Sequence, residues 1–347
     1  MLGIPELTPR RVILATIVIL VLLAGLYFLI PKLAGLNKTW GQLKHGDPVL
    51  LAVAAVTEFL SLLGYVLLFR CVFGRGMPRI DWRASLEIPL AGIAAIRLLS
   101  AAGAGGVAVT VWALRRAGME GAVIACRIVA SYVIQYSLYL GAMVICGLGL
   151  WFGVFSGAGS FSLLVIPALL SAGAIMLVGA MVFVPDDFER RLSQLGRRSG
   201  RIGRTATRLA TFPQTIGEGV RTAIAVVRER PLALVGAGAY WAFDIAVLGL
   251  CFRAFGQSVP AAQLVMGYFI GTLGSLLPLP GGIGGVEGGM IGAFVAFGIP
   301  ADRAVVGVLA YRAISFWLPT IPGIVGYLRL RVTVRGWQLA DAVHVDD

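Results

Sequence analysis

Charge is what this sequence has least of. Only 13% of its 347 residues are Asp, Glu, Lys or Arg, about half of the roughly 25% carried by soluble domains. Hydrophobic residues make up 58% of the chain and the mean hydropathy is +0.89. Those proportions leave too little polar surface for a water-facing globule, and they describe an integral membrane protein. Histidine and cysteine are nearly missing as well. His45 and His344 fall in a loop and in the C-terminal tail, and the four cysteines (Cys71, Cys126, Cys146, Cys251) are scattered without paired spacing. That pattern argues against a disulfide framework or a zinc site. HExxH, GxSxG, Walker and post-strand GxGxxG motifs are absent. No catalytic residue, metal or cofactor is therefore expected, and the chain is not read as an enzyme.

Acidic charge is the scarcer sign, with 17 Asp and Glu against 29 Lys and Arg, a formal net charge of +12. No basic domain separates from the apolar stretches, which disfavours nucleic-acid binding. The basic residues lie mostly in loops, where they orient a membrane protein with its arginines on the cytoplasmic side and touch anionic lipid.

What the sequence does have is long apolar runs. Arg10 and Arg11 precede a first span of about 12–30, longer than a signal-peptide core and read as retained. Further spans cover about 48–69 (with Glu58), a stretch after Arg115 and Arg116 that holds Arg127, about 161–184, about 231–255 (with Asp244) and about 304–328 (with Arg312, Pro319 and Pro322). Two stretches are interrupted. Residues 88–114 carry Arg97 and the run Ala-Ala-Gly-Ala-Gly-Gly at 101–106. Residues 261–298 carry Leu-Leu-Pro-Leu-Pro-Gly-Gly-Ile-Gly-Gly-Val-Glu-Gly at 276–288, with Glu287 as the one charge in the run. Prolines and glycines free backbone polar groups that hydrocarbon cannot satisfy, so such breaks survive only when packed in protein or lining a wet cavity.

Orientation decides how these two stretches are threaded. Counted as single crossings, they put Arg115, Arg116 and the arginine-rich segment 185–230 outside the cell. Counted as re-entrant hairpins, they bring the N-terminus, residues 70–83, Arg115/Arg116, residues 185–230 and the C-terminal Arg329, Arg331 and Arg335 to the cytoplasmic side. The cost is three lysines, Lys32, Lys38 and Lys44, in the first outer loop. An internal repeat accompanies this topology. Glu58 and Asp244 stand 186 positions apart, Arg127 and Arg312 stand 185 apart, and Phe69-Arg70-Cys71-Val72-Phe73-Gly74 resembles Phe252-Arg253-Ala254-Phe255-Gly256. Each half reads as an acidic span, a Gly-rich re-entrant stretch and an arginine span, and the halves run in opposite orientation, as in secondary transporters.

The expected fold is thus an all-α polytopic membrane protein of about six to eight transmembrane helices with two Gly-rich re-entrant or broken elements and an inverted repeat. It forms one integral membrane domain over 1–347, with a first repeat at about 48–153 and a second at about 231–330. Between them, segment 185–230 holds ten arginines and five carboxylates among spaced apolar residues. It reads as an amphipathic basic helix pair at the cytoplasmic interface, with a disordered basic loop as the alternative.

Six charges fall at membrane depth: Glu58, Arg97, Arg127, Asp244, Glu287 and Arg312. Each costs at least about 2.5 kcal/mol near a helix centre, so each needs a reason. One reason is structural, three acids neutralising three bases as buried pairs. The other is functional, with Arg127 and Arg312 binding an anionic headgroup by planar, permanently charged forks. Glu287, Pro280, Gly281, Gly282 and Gly284 would then shape the binding cavity as a backbone N–H cradle. Glu58, Asp244 and Arg97 would serve charge pairing or proton coupling.

Together, Pro-Gly-Gly-Ile-Gly-Gly-Val-Glu at 280–287, Leu-Ala-Tyr-Arg at 309–312, Phe-Trp-Leu-Pro at 316–319 and Leu-Arg-Arg-Ala-Gly at 114–118 resemble the lysylphosphatidylglycerol synthase transmembrane (flippase-like) family. The resemblance covers about residues 10–330. It implies a bacterial inner-membrane protein, both termini cytoplasmic by the arginine argument, that moves polar or anionic lipids between leaflets. Full synthases continue into further spans and an aminoacyl-transfer domain, whereas here the eighth span is followed by a tail of about 20 residues. The expectation is a stand-alone member that translocates lipid. A second reading is a non-transporting accessory subunit partnered with a lipid-modifying enzyme, and a third is a small-solute secondary transporter. Substrate and oligomeric state do not follow from the motif.

Overall fold

The computed structural model describes residues 45–98, 104–181, 200–276 and 282–343, with backbone alone at Leu98, over 200–214 and at 342–343. Every regular element among them is helical. α1 (Pro48–Phe73) starts where the Asp47 side chain accepts from Val49 N at 2.8 Å and Leu50 N at 3.3 Å, with Pro48 at the first position, whose missing N–H is not needed there. Its 26 residues give about 39 Å of helix, enough to cross a bilayer core of about 30 Å. α2 (Trp82–Leu98) and α3 (Ala104–Arg116) form a first hairpin, and α4 (Gly121–Trp151) is the longest single helix among the described residues. α5 (Phe161–Ala180) and α6 (Gly200–Glu229) lie against α4.

The order then repeats. α7 (Leu232–Ala254) is followed by α8 (Ala261–Thr272), a 3-10 turn (Leu273–Leu276) and α9 (Gly285–Ala296), which pack as a second hairpin. α10 (Ala301–Arg312), a π-helical turn (Ala313–Trp317) and α11 (Thr320–Val343) close the chain. α8 and α9 have 12 residues each, or about 18 Å of helix, too short to cross. Five stretches among the described residues are long and apolar enough to span: α1, α4, α5, α7, and α10 with α11. The expected first span at 12–30, and residues 99–103 of the first Gly-rich break, lie outside the described residues.

Three sequence readings change here. The stretch 304–328 is not one uninterrupted span, because the π turn and Pro319 divide it and α11 continues to Val343. The third stretch starts earlier than residue 88, since Pro89 sits inside α2. The described part of the basic segment does not rest its apolar face on lipid alone. Val220, Ala223 and Val226 of α6 are buried, and Gly219 comes so close to α4 that an added Cβ would stand 2.3 Å from Val129 Cγ1.

The two halves meet at α1 and α7, which run antiparallel. Asp47 N donates to Ala254 O at 2.9 Å at one end, and Ser61 Oγ donates to Tyr240 O at 2.9 Å nearer the middle. Between them Gly64 and Gly236 bring the backbones into contact. A Cβ on Gly64 would lie 2.7 Å from Tyr240 N and 2.8 Å from Gly236 O, and one on Gly236 would lie 2.7 Å from Leu68 N. Small residues at such a crossing are how helices associate in lipid, where no hydrophobic force drives them together. Each hairpin leans on the last helix of the other half: α2 packs on α11, with Gly323 against Leu90 and Ala94, and α8 packs on α4. Tyr139 Oη of α4 secures the second contact by donating to Phe269 O at 2.8 Å.

The basic loops gather at one end. Arg75 pairs with Glu229 at 2.8 Å, Arg79 bonds Asp341, and Leu114 and Ala117 share a buried cluster with Phe73, Ile80 and Val334. Residues 73–80, the end of α3, the end of α6 and the end of α11 therefore lie on a common side.

Candidate functional site

The membrane-depth charges form two neighbouring groups around the α1–α7 crossing. Glu287 and Arg312 make the first. Glu287, in the first turn of α9, accepts from Arg312 Nε at 2.8 Å through Oε1 and from Gly284 N at 2.7 Å through Oε2. Both side chains are about a tenth exposed. The geometry follows from the break: Gly282 and Gly284 take φ of 68° and 85°, a region that favours glycine. The chain can thereby turn into α9 with its first N–H groups facing Glu287. The cradle that the glycines were expected to offer an anion is thus occupied at Gly284 by the protein's own carboxylate. Pro280 and Gly281 lie outside the described residues.

Arg97 stands across from this pair. Its guanidinium donates to Phe316 O, to Ser315 O at 2.8 Å and to Thr320 Oγ1 at 3.1 Å. These acceptors belong to the π turn and the start of α11: Ser315 O has no i+4 donor because Pro319 carries no N–H, and Phe316 O also accepts from Thr320 Oγ1. The Arg97 and Arg312 guanidinium carbons lie 5.1 Å and 5.0 Å from the centroid of the same ring, Phe316. Two cations against one aromatic face system, in a low-dielectric setting, gain quadrupole attraction while repelling each other.

Glu58 and Asp244 make the second group, at the middle of α1 and α7. They were expected to serve charge pairing or proton coupling. They lie on the facing sides of α1 and α7, one turn from the Ser61–Tyr240 contact, and among the described residues neither carboxylate makes a direct ion pair with a guanidinium. Asp244 Oδ2 accepts from Tyr268 Oη and, at 3.2 Å, from Tyr311 Oη.

Arg127 is elsewhere. It donates to Phe73 O and Arg75 O, each at 3.0 Å, and so caps the C-terminus of α1. Fifteen residues of helix separate Glu58 from Phe73, about 22 Å along α1. Arg127 and Arg312 are therefore not brought together, and Arg97 is the guanidinium that stands beside Arg312 at Phe316. Sequence reasoning gave no role to Tyr268, Ser315 or Thr320, and Tyr311 and Phe316 entered only as members of the Leu-Ala-Tyr-Arg and Phe-Trp-Leu-Pro runs. Pro319 marked a break just past the π turn.

Against known proteins, the model of the lysylphosphatidylglycerol synthase TM region matches residues 12–323. The chain belongs to this family. The matched region takes in both hairpins and ends inside α11, beyond Arg312, Phe316 and Thr320. Three UPF0104 membrane proteins of Methanothermobacter thermautotrophicus are similar. One is 26% identical over 303 residues, covering 81% of this chain and 86% of the relative. The others are 42% and 37% identical over 86 residues, and those matches span 24% of this chain and about a quarter of each relative's length. No solved structure matches the chain. This member of the lysylphosphatidylglycerol synthase TM family is a multi-pass, all-α membrane protein.

Proposed function

We propose that the protein is a flippase-like translocator that moves a polar or anionic lipid between the leaflets of a bacterial inner membrane, and that it does so without covalent chemistry. The observation that carries this reading is the convergence of Arg97 and Arg312 on Phe316 beside a broken helix, at the depth of Glu58 and Asp244. Guanidinium forks suit phosphate oxygens. The broken backbone around Gly282–Gly284 and the π turn supplies further donors and acceptors where a headgroup would cross. In the conformation described, Arg312 is held by Glu287 and Arg97 by carbonyls, so headgroup entry would exchange those bonds for phosphate contacts. The arginine-rich end faces the cytoplasm in this reading, with both termini on that side.

The test is reconstitution. Purified protein in liposomes containing a fluorescent phospholipid should expose inner-leaflet label to a membrane-impermeant quencher, and the folded fraction of Arg312→Ala and of Arg97→Ala, both less stable than wild type, should lack that exposure. A second reading is favoured by the bonds that hold Glu287 and Arg97 to groups of the protein itself: an accessory subunit, partnered with a lipid-modifying enzyme, in which these bonds only fix the helices. Failure to move any lipid of neutral or anionic headgroup would select it.

A further inference from the structure

Glu58 and Asp244 are 4% and 8% exposed, and each lies one helical turn from the Ser61–Tyr240 contact, on the facing sides of α1 and α7. Asp244 Oδ2 is satisfied by Tyr268 and Tyr311. Asp244 Oδ1 and Glu58 Oε2 are fully buried and have no hydrogen-bond partner among the described residues. An ionised carboxylate only accepts, so two of them on facing sides have no donor between them. The same placement also sets like charges near each other in a poor dielectric.

Among the described residues, none of the groups around the pair donates to the two orphaned oxygens. On α2, Arg97 is turned to Ser315, Phe316 and Thr320. On α10, Arg312 is bonded to Glu287, and Tyr311 already donates to the satisfied oxygen. On α8, Tyr268 does the same. On α7 itself, Tyr240 and Cys251 are the other titratable side chains nearby, and neither donates to the orphaned oxygens. Charge counting gives the same answer. Three carboxyl groups (Glu58, Asp244, Glu287) face two guanidiniums (Arg97, Arg312), and one added proton brings the group to neutrality.

We propose that Glu58 and Asp244 bind a single shared proton, so that the crossing of α1 and α7 is a proton site built between the two halves of the protein. One carboxyl donates its O–H to the other, which supplies the missing donor. Removal of that proton leaves two anions at the point where the halves touch, and loosens the crossing that must shift if the halves rock. This coupling role rests on the translocator reading, whereas the proton site itself does not.

The experiment is infrared spectroscopy on the full chain in lipid nanodiscs at neutral pH, in water and deuterated water. Wild type should show a deuterium-sensitive carbonyl stretch of a protonated carboxylic acid, lost in both Glu58→Gln and Asp244→Asn. Each amide provides an N–H donor to the remaining carboxylate, so these variants should melt near the wild-type temperature. Glu58→Ala, which leaves Asp244 Oδ1 without a donor, should melt well below it. No such band in wild type, or a band that persists in both amide variants, overturns the proposal. A band without lipid movement keeps the proton site and sinks the translocator reading, and lipid movement without the band does the reverse.

Discussion

Glu287 Oε1 accepts from Arg312 Nε at 2.8 Å while its other oxygen closes the first turn of α9 on Gly284 N. One carboxylate thereby ties the start of the second hairpin to the end of α10, across the break that the glycines create. Both partners are nearly buried, so removing either leaves a charge without its counterion. Breaking a buried pair from one side typically costs about 3–5 kcal/mol, whereas replacing both members with apolar groups of similar size is often neutral. Glu287→Leu and Arg312→Met are each expected to lower the thermal midpoint of the detergent-solubilised protein sharply. The double variant should recover most of that loss, and all three should lack lipid exposure in the liposome assay. A double variant as unstable as the sum of the singles would show that the pair is not one interacting unit.

Arg97 is expected to tolerate no substitution, including lysine. Its fork reaches three acceptors on the π turn and α11, and a single ammonium on a flexible stem cannot span them. Hydrogen bonds from a charged donor are worth about 1.5–3 kcal/mol each when the acceptors are buried. Arg97→Lys should therefore destabilise by at least about 1.5 kcal/mol, measured as a shift in thermal midpoint, and Arg97→Gln by more. A lysine variant with wild-type stability would mean that the π-turn carbonyls find other partners.

Arg127 should behave differently from Arg312. It bonds two carbonyls at the end of α1, about 22 Å along that helix from Glu58. Arg127→Gln is expected to cost about 1 kcal/mol and to leave lipid exposure in liposomes within a few-fold of wild type. Loss of movement equal to that of Arg312→Ala, at retained stability, would return Arg127 to the headgroup path.

The contrast between these arginines shows what the sequence could carry. Charge at membrane depth singled out Glu58, Asp244, Glu287 and Arg312, which are buried, and Arg97, which is half-buried, because desolvation penalises a charge wherever the helix is later packed. It misplaced Arg127, the seventh residue of a 31-residue helix, since a long span leaves its first two turns near the interface, where a guanidinium can reach a neighbouring helix end. Partner choice was not legible at all. Glu58 and Asp244 read as groups for charge pairing or proton coupling with the arginines, and only the antiparallel crossing set by Gly64 and Gly236 places them on facing sides of α1 and α7. The π turn was equally hidden, because one extra residue in a helical turn leaves no mark on an apolar run except the nearby Pro319. The hairpins were legible, since prolines and glycines in an apolar stretch, together with the arginine distribution, left few threadings.

Gly64 offers the most direct test of that crossing. A Cβ there would stand 2.7 Å from Tyr240 N and 2.8 Å from Gly236 O, both backbone atoms that cannot swing aside as a side-chain tip can. α1 and α7 would have to separate, which pulls Ser61 from Tyr240 O and Glu58 from Asp244. Overpacking of this kind costs about 1–3 kcal/mol, and here it acts on the contact between the two halves. Gly141, in α4, meets nothing within 4 Å, so an added methyl gains helix propensity, worth up to about 1 kcal/mol, without a clash. Gly64→Ala should therefore lower the thermal midpoint and Gly64→Val should lower it further, while Gly141→Ala should leave it unchanged or raise it. The infrared band of the shared proton should weaken in Gly64→Ala in step with the lost stability, and remain full in Gly141→Ala. Equal midpoints for Gly64→Ala and Gly141→Ala would show that α1 and α7 do not touch through their backbones, and with that contact would go the geometry that brings Glu58 and Asp244 together.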